Sequence, residues 1–261
     1  MLGRMAHSTV ASFPGRDGTR LAYREAGAGR PLVLLHGIAV ASTMWERHGL
    51  AEAFADLGHR VLMPDFRGHG QSARPQDAAA YPPDVLTDDA LALVDHLGLV
   101  DYDLGGYSLG GRIVVRMLVR GATPARAFVA GQGLREVHGG VATGAGAQLR
   151  KMIAGWGTGA PGSKQERSER WARASGMDPV AVVHVLDSLV ATPTGPVGDV
   201  TIPTLVLVGR DDPRAASAAE LVDVMPAATL VEVDGDHGTA PAAPAFAQVV
   251  GRFLAGQPAG R

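Results

Sequence analysis

Gly106-Tyr107-Ser108-Leu109-Gly110 is a G-x-S-x-G pentapeptide. In that pattern a very tight strand-to-helix turn holds a serine in strained backbone geometry with its hydroxyl exposed. The flanking positions must be small because the chain folds back on itself there. A serine hydroxyl is a poor nucleophile at neutral pH. It needs an imidazole to take its proton, and a carboxylate to fix the imidazole tautomer and stabilise its cation. Further along the chain Gly209-Arg210-Asp211-Asp212 and Gly235-Asp236-His237 supply both groups, in the order Ser, Asp, His. The competing reading of the pentapeptide is a glycine-rich turn whose serine only caps a helix.

Such groups must be brought together by the elements that carry them. Residues 8–13 and 19–25 read as strands joined by the turn Gly15-Arg16-Asp17-Gly18, which makes a hairpin. Leu32-Val33-Leu34-Leu35 is an apolar run without alternation, as expected of a strand buried on both faces of a parallel sheet. Further strands are expected at 60–64, 101–107, 126–130, 203–208 and 229–233. Helices are expected at 43–57, 83–97, 109–120, 215–225 and 244–254. The alternation of strand and helix is the signature of βαβ units. Ser108, Asp211/Asp212 and His237 then all follow the C-terminal ends of parallel strands, the edge where sites form in open α/β sheets. His36-Gly37-Ile38 ends the first buried strand in the same way. The N–H of Ile38 is expected to join that of Leu109 as a pair of donors to a developing oxyanion.

From 131 to 200 the alternation breaks. Residues 131–162 contain 10 glycines and no clear periodicity. Helical stretches are expected only at 164–174 and 179–189. A stretch of this kind inside an α/β chain reads as a lid. The expected organisation is therefore a core of residues 1–130 and 201–261 with a lid or cap insert at 131–200, and a frayed tail from 255.

Composition narrows the remaining possibilities. The 261 residues are 46% hydrophobic and 19% charged, with a formal net charge of −2 and no cysteine. These are the proportions of a globular chain. A disulfide framework, a thiolate metal site and a cysteine nucleophile are excluded. No basic face for nucleic acid is expected. No apolar run has the length of a membrane span, and residues 1–13 lack that of a signal peptide, so a cytoplasmic location is expected. The nine histidines include no pair with the spacing and companions of a zinc site, and no glycine-rich stretch has the strand–loop–helix context of a phosphate cradle. No metal and no cofactor are expected.

Five motifs together carry a resemblance. His36-Gly37, Asp65-Phe66-Arg67-Gly68-His69-Gly70-Gln71-Ser72, Gly106 to Gly110, Gly209-Arg210-Asp211-Asp212 and Gly235-Asp236-His237 stand in the order found in the α/β-hydrolase superfamily. The chain most resembles its short-lid bacterial esterases, C–C hydrolases and cofactor-free haloperoxidase-like members. The resemblance implies a mostly parallel eight-stranded sheet flanked by helices, with a helical lid insert. It implies Ser108 as nucleophile, His237 as base and Asp212, three residues past the strand-ending glycine, as the acid. Glu136 is a distant alternative seat for that acid. It disfavours haloalkane dehalogenase and epoxide hydrolase chemistry, which uses an aspartate where Ser108 stands. Asp236, directly before His237, departs from the family's usual small residue. If it lay close, it would favour the imidazolium.

The function these readings imply is cleavage of a small or medium hydrophobic ester or lactone through an acyl-enzyme, as in a carboxylic ester hydrolase. The partner is then a hydrophobic small molecule, and the oligomeric state is left open. A C–C hydrolase, lyase or cyclase on the same triad is the first alternative, because fold and triad do not fix the reaction. A ligand-binding member that does not turn over is the second. His36, Tyr107, Trp45, Met152 and Trp156 are candidates to line the substrate pocket, against simple packing. His36 is expected beside the oxyanion site and His69 to order the polar loop. His7, His48, His59, His96, His138 and His184 read as surface or packing residues.

Overall fold

The computed structural model describes residues 8–139 and 144–257. The strands are β1 (Thr9–Pro14), β2 (Arg20–Gly27), β3 (Arg30–Leu35), β4 (His59–Pro64), β5 (Asp103–Tyr107), β6 (Arg126–Ala130), β7 (Thr204–Gly209) and β8 (Ala228–Val233). They form one eight-stranded sheet in the order β1-β2-β4-β3-β5-β6-β7-β8. The β1–β2 and β2–β4 pairs are antiparallel and the other pairs are parallel. The sheet is thus mostly parallel, with the expected hairpin at one edge.

Successive side chains on a strand point to opposite faces. Val33, Leu35, Leu104 and Val206 join one buried apolar cluster, and Leu32, Leu34, Phe128 and Leu205 join another. Both faces are covered, which is why these strands read as uninterrupted apolar runs. The covering helices are α1 (Thr43–Arg47), α2 (Leu50–Asp56), α3 (Val85–His96), α4 (Leu109–Val119), α10 (Ala215–Val224) and α11 (Pro244–Leu254). The single helix expected at 43–57 is broken in two. Gly49 takes φ 68° and begins α2, a left-handed geometry that glycine adopts without steric cost.

Between β6 and β7 lie α5 (Leu134–His138), α6 (Gly144–Ala154), α7 (Lys164–Ala174), α8 (Pro179–Ser188) and α9 (Thr194–Gly198). The sequence pattern points to α7 and α8 and misses α5, α6 and α9, of which α5 and α9 are only five residues long and α6 begins in a glycine-rich stretch. The run Ala147 to Met152, built from good helix formers, was the available signal. Helices α5 and α9 pack on α4 and α10, whereas α6 packs on α7 and α8. Within the described residues no helix is long and apolar enough to cross a membrane. His7 and the tail from 258 lie outside the described residues.

Candidate active site

Strand β5 and helix α4 meet at Ser108 with no intervening loop. Ser108 adopts φ 54° and ψ −116°, a backbone state costing about 1–3 kcal/mol that persists only where its surroundings impose it. The glycines on either side permit this. A Cβ on Gly106 would lie 2.3 Å from the Gly110 carbonyl carbon, and one on Gly110 would lie 1.9 Å from the Leu35 carbonyl oxygen. Both contacts are backbone and cannot give way. Ser108 occupies the N-cap position of α4 but makes no side-chain cap. Its Oγ instead lies 3.0 Å from His237 Nε2, so the reading of a merely capping serine fails.

Asp212 and His237 arrive from two other strands. Asp212 follows β7 and turns its N–H back to Gly209 at 3.0 Å. Its buried Oδ2 accepts His237 Nδ1–H at 2.7 Å. A carboxylate can only accept, so Nδ1 carries the proton and the Nε2 lone pair faces the serine hydroxyl. Asp211 is exposed and has no part in this chain of hydrogen bonds. Glu136 accepts from Ser217 Oγ at 2.9 Å instead. Asp236 is exposed, and its Oδ1 accepts the N–H groups of Gly238 and Thr239, both at 2.9 Å. It organises the turn rather than the imidazole.

Two partners of this chain were not foreseen. Arg214 donates to the second oxygen of Asp212 through its backbone N–H at 3.0 Å and its Nη1 at 3.2 Å. Burial pushes the Asp212 carboxyl up, but the hydrogen bonds from His237 and the Arg214 backbone outweigh it and hold the carboxyl below its usual value. Tyr107 donates its hydroxyl to the His237 carbonyl at 2.5 Å, and its ring lies 5.3 Å from the imidazole. The only sequence signals were the turn residues Asp212-Pro213-Arg214 and the adjacency of Tyr107 to Ser108.

The loop after β3 runs past Ser108. A Cβ on Gly37 would lie 3.5 Å from Ser108 Cβ. Among the described residues neither Ile38 N–H nor Leu109 N–H has a hydrogen-bond acceptor, so both are available to a ligand. Two buried histidines fasten this loop. His36 Nε2 accepts Phe66 N–H at 2.9 Å, and His69 Nε2 accepts Ala39 N–H at 3.2 Å. Each ring is therefore the neutral tautomer protonated at Nδ1, which faces the Gly37 carbonyl for His36 and the Arg67 carbonyl for His69. Burial pushes both imidazoles down, His69 to about 3, so they remain neutral acceptors. Asp65 completes the anchorage by accepting Ser42 N–H and Gln71 N–H, both at 2.8 Å.

The pocket candidates separate. Met152 and Trp156 are half-buried and pack with Ile38 in an apolar cluster formed by α7, α8 and the loop after β3. Trp45 does not belong there. It is fully buried beneath the sheet, 6.4 Å from Phe128 edge-on, because α1 turns it into the core. His36 is likewise fully buried and bonded to the loop at both nitrogens. It shapes the site without lining it. Tyr107 backs His237 and is 5% exposed.

A serine hydroxyl facing an imidazole lone pair, that imidazole held by a buried carboxylate, and two free N–H groups beside the serine are the parts required for nucleophilic acyl transfer. The sequence profile described as the alpha/beta hydrolase fold matches residues 30–133. The chain has the α/β-hydrolase fold. The matched segment includes His36 and Ser108 but stops before Asp212 and His237. Among its relatives, a non-heme haloperoxidase of Rhodococcus erythropolis is 39% identical over 104 residues, 40% of this chain and 36% of that protein. A 2-hydroxymuconate semialdehyde hydrolase of Pseudomonas sp. (strain CF600) is 37% identical over 103 residues, again 40% of this chain and 36% of that protein. The chain thus spans little more than a third of the length of these curated relatives. The crystal structure of an esterase from Rhodococcus sp. ECU1013 superposes with a TM-score of 0.71 at 26% identity, covering 94% of this chain and 98% of that one.

Proposed function

We propose that this chain is a serine hydrolase that cleaves a small or medium hydrophobic ester or lactone. The observation that carries the proposal is the unbroken chain from Ser108 Oγ through His237 to Asp212, with contacts of 3.0 and 2.7 Å, on a serine whose strained backbone leaves it uncapped. Ser108 attacks the carbonyl while His237 Nε2 takes its proton. Asp212 stabilises the resulting imidazolium. The N–H groups of Ile38 and Leu109 hold the tetrahedral oxyanion, each worth roughly 3 kcal/mol in a dry site. His237 then returns the proton to the leaving alcohol, and water releases the acyl group by the same steps. Neither metal nor cofactor is required by this sequence of events. The half-buried apolar side chains Ile38, Met152 and Trp156 favour an apolar acyl or alcohol group.

The test is turnover of a short-chain aryl ester by wild type and by Ser108→Ala. A fall of at least about 10³-fold is expected on losing the nucleophile. Equal rates would refute the assignment. The relative that hydrolyses 2-hydroxymuconate semialdehyde favours one second reading, C–C bond hydrolysis on the same groups. Labelling of Ser108 by a fluorophosphonate together with failure on a broad ester panel would select it. Tight small-molecule binding without product would select a ligand-binding role.

A further inference from the structure

Ala39 has the backbone geometry of a residue held from two sides. It is non-glycine, 3% exposed, and sits at φ 60°, a left-handed state that an alanine rarely adopts. Its N–H goes to His69 Nε2 at 3.2 Å, from the polar loop of the core. Its carbonyl accepts the hydroxyl of Ser175 at 2.7 Å, from the C-terminal end of α7 in the insert. Among the described residues Ser175 is the sole donor to that carbonyl. The Ser175 hydroxyl has one proton and a second acceptor in reach, the Ala172 carbonyl of its own helix at 2.8 Å. That carbonyl already takes Met177 N–H at 3.0 Å, so the proton is best used on Ala39.

Packing supports the same grip. Ala39 shares a buried cluster with Ala172, Met177, Val182 and Leu186 of the insert, and Ile38 lies against that cluster. Ala39 is therefore held from the core through the peptide that joins it to Ile38 and from the insert through the peptide that joins it to Val40. Ile38 is one residue upstream, and its N–H is the oxyanion donor of the proposed reaction. We infer that Ser175 and His69 are positioning residues that clamp Ala39 and thereby aim the Ile38 N–H at the carbonyl attacked by Ser108. The inference rests on the function proposed above. It makes docking of α7 part of the catalytic apparatus: with α7 displaced, the Ser175 proton returns to Ala172 and the donor loop is held from the core alone.

An oxyanion donor acts through its placement, and small misplacements of positioned groups cost on the order of tenfold or more. Ser175→Ala is expected to lower kcat on a short-chain aryl ester about tenfold, with KM changed less than about twofold, because substrate is bound before the oxyanion exists. The affinity of an aryl trifluoromethyl ketone, which forms a tetrahedral oxyanion adduct on the serine, should fall by the same factor as kcat. Ser175→Thr should restore most of both. His69→Gln, which keeps an acceptor, should lose less than His69→Leu. Unchanged kcat and adduct affinity in Ser175→Ala would overturn the inference. So would a loss tracking a lowered melting temperature that threonine does not restore. Ser108→Ala is measured alongside, so that failure of the proposed function, seen as equal rates in that variant, is distinct from failure of the clamp. Should no ester be turned over, hydrogen exchange of the Ala39 amide decides. It should quicken about tenfold or more in Ser175→Ala and His69→Leu, since its protection depends on the clamp. Exchange unaltered in both variants would sink the inference.

Discussion

Asp212→Asn separates what the carboxylate does for charge from what it does for the imidazole tautomer, and the environment of Asp212 dictates the outcome. One of its oxygens accepts two donors, Arg214 N–H at 3.0 Å and Arg214 Nη1 at 3.2 Å. The other accepts His237 Nδ1–H at 2.7 Å. An asparagine has one acceptor end. Turning it toward His237 would set its NH₂ against both Arg214 donors. The loss would be roughly 0.5–1.5 kcal/mol for the neutral bond and about 1.5–3 kcal/mol for the charged one. The side chain therefore keeps its oxygen on Arg214 and presents NH₂ to His237. Nδ1 must then become the acceptor, Nε2 carries the proton, and Ser108 faces a donor in place of a base. Expected is a fall in kcat on an aryl ester of about 10⁴-fold, the scale of a triad locked in the wrong tautomer, with little change in KM. The double variant Asp212→Asn/Arg214→Met removes the charged donor and leaves only the backbone bond opposing rotation of the amide. It should recover about tenfold over the single variant, using the same 1.5–3 kcal/mol. The assay is steady-state turnover with thermal unfolding as a check of folding. A single variant within tenfold of wild type, or a double variant no faster than the single, refutes the tautomer argument.

Gly110→Ala would place a Cβ 1.9 Å from the Leu35 carbonyl oxygen, a backbone clash that should cost at least about 3 kcal/mol, read as a lowered urea midpoint or loss of soluble protein. Arg112 is buried on α4 and donates to the carbonyls of Glu136, Gly139 and Val190, tying the segment between β6 and β7 to α4. Arg112→Met should leave these carbonyls unpaired at about 1–3 kcal/mol and speed proteolysis between β6 and β7 more than in the sheet. Arg67 is buried and hydrogen-bonded to Asp17, holding that carboxyl well below the usual range. A depressed folded-state pKa gives stability that is present at neutral pH and lost as pH falls below about 4. Asp17→Asn should therefore flatten the acid side of a stability–pH curve measured by urea unfolding from pH 3 to 7, and an unaltered slope would show that Asp17 does not contribute.

The fold was legible because its central strands β3, β4, β6 and β7 are largely buried on both faces and therefore mostly apolar, and because glycine, proline and aspartate punctuate them. Ser108 was legible for a different reason: Gly106 and Gly110 are required by backbone approach, so the motif records a steric fact. Helices α5 and α6 were not legible, since α5 is only five residues long and α6 begins in a glycine-rich stretch, and both lean on packing against α4, α10, α7 and α8. Trp45 shows the same limit. An aromatic residue in a helix near the site reads equally well as pocket or core, and only the rotation of α1 sends it beneath the sheet.

By itself the sequence determined that a serine, an acid and a histidine each stand after a strand of a parallel sheet, because turn chemistry and burial are local properties of the chain. Only the tertiary structure decided which aspartate meets His237, which nitrogen of that ring is protonated, and that Ala39 is held between His69 and Ser175. Each of those depends on the position of hydrogen-bonding atoms brought together from segments 25 to 136 residues apart. Spacing along the chain does not encode such contacts, because packing of the sheet and helices supplies the last ångström.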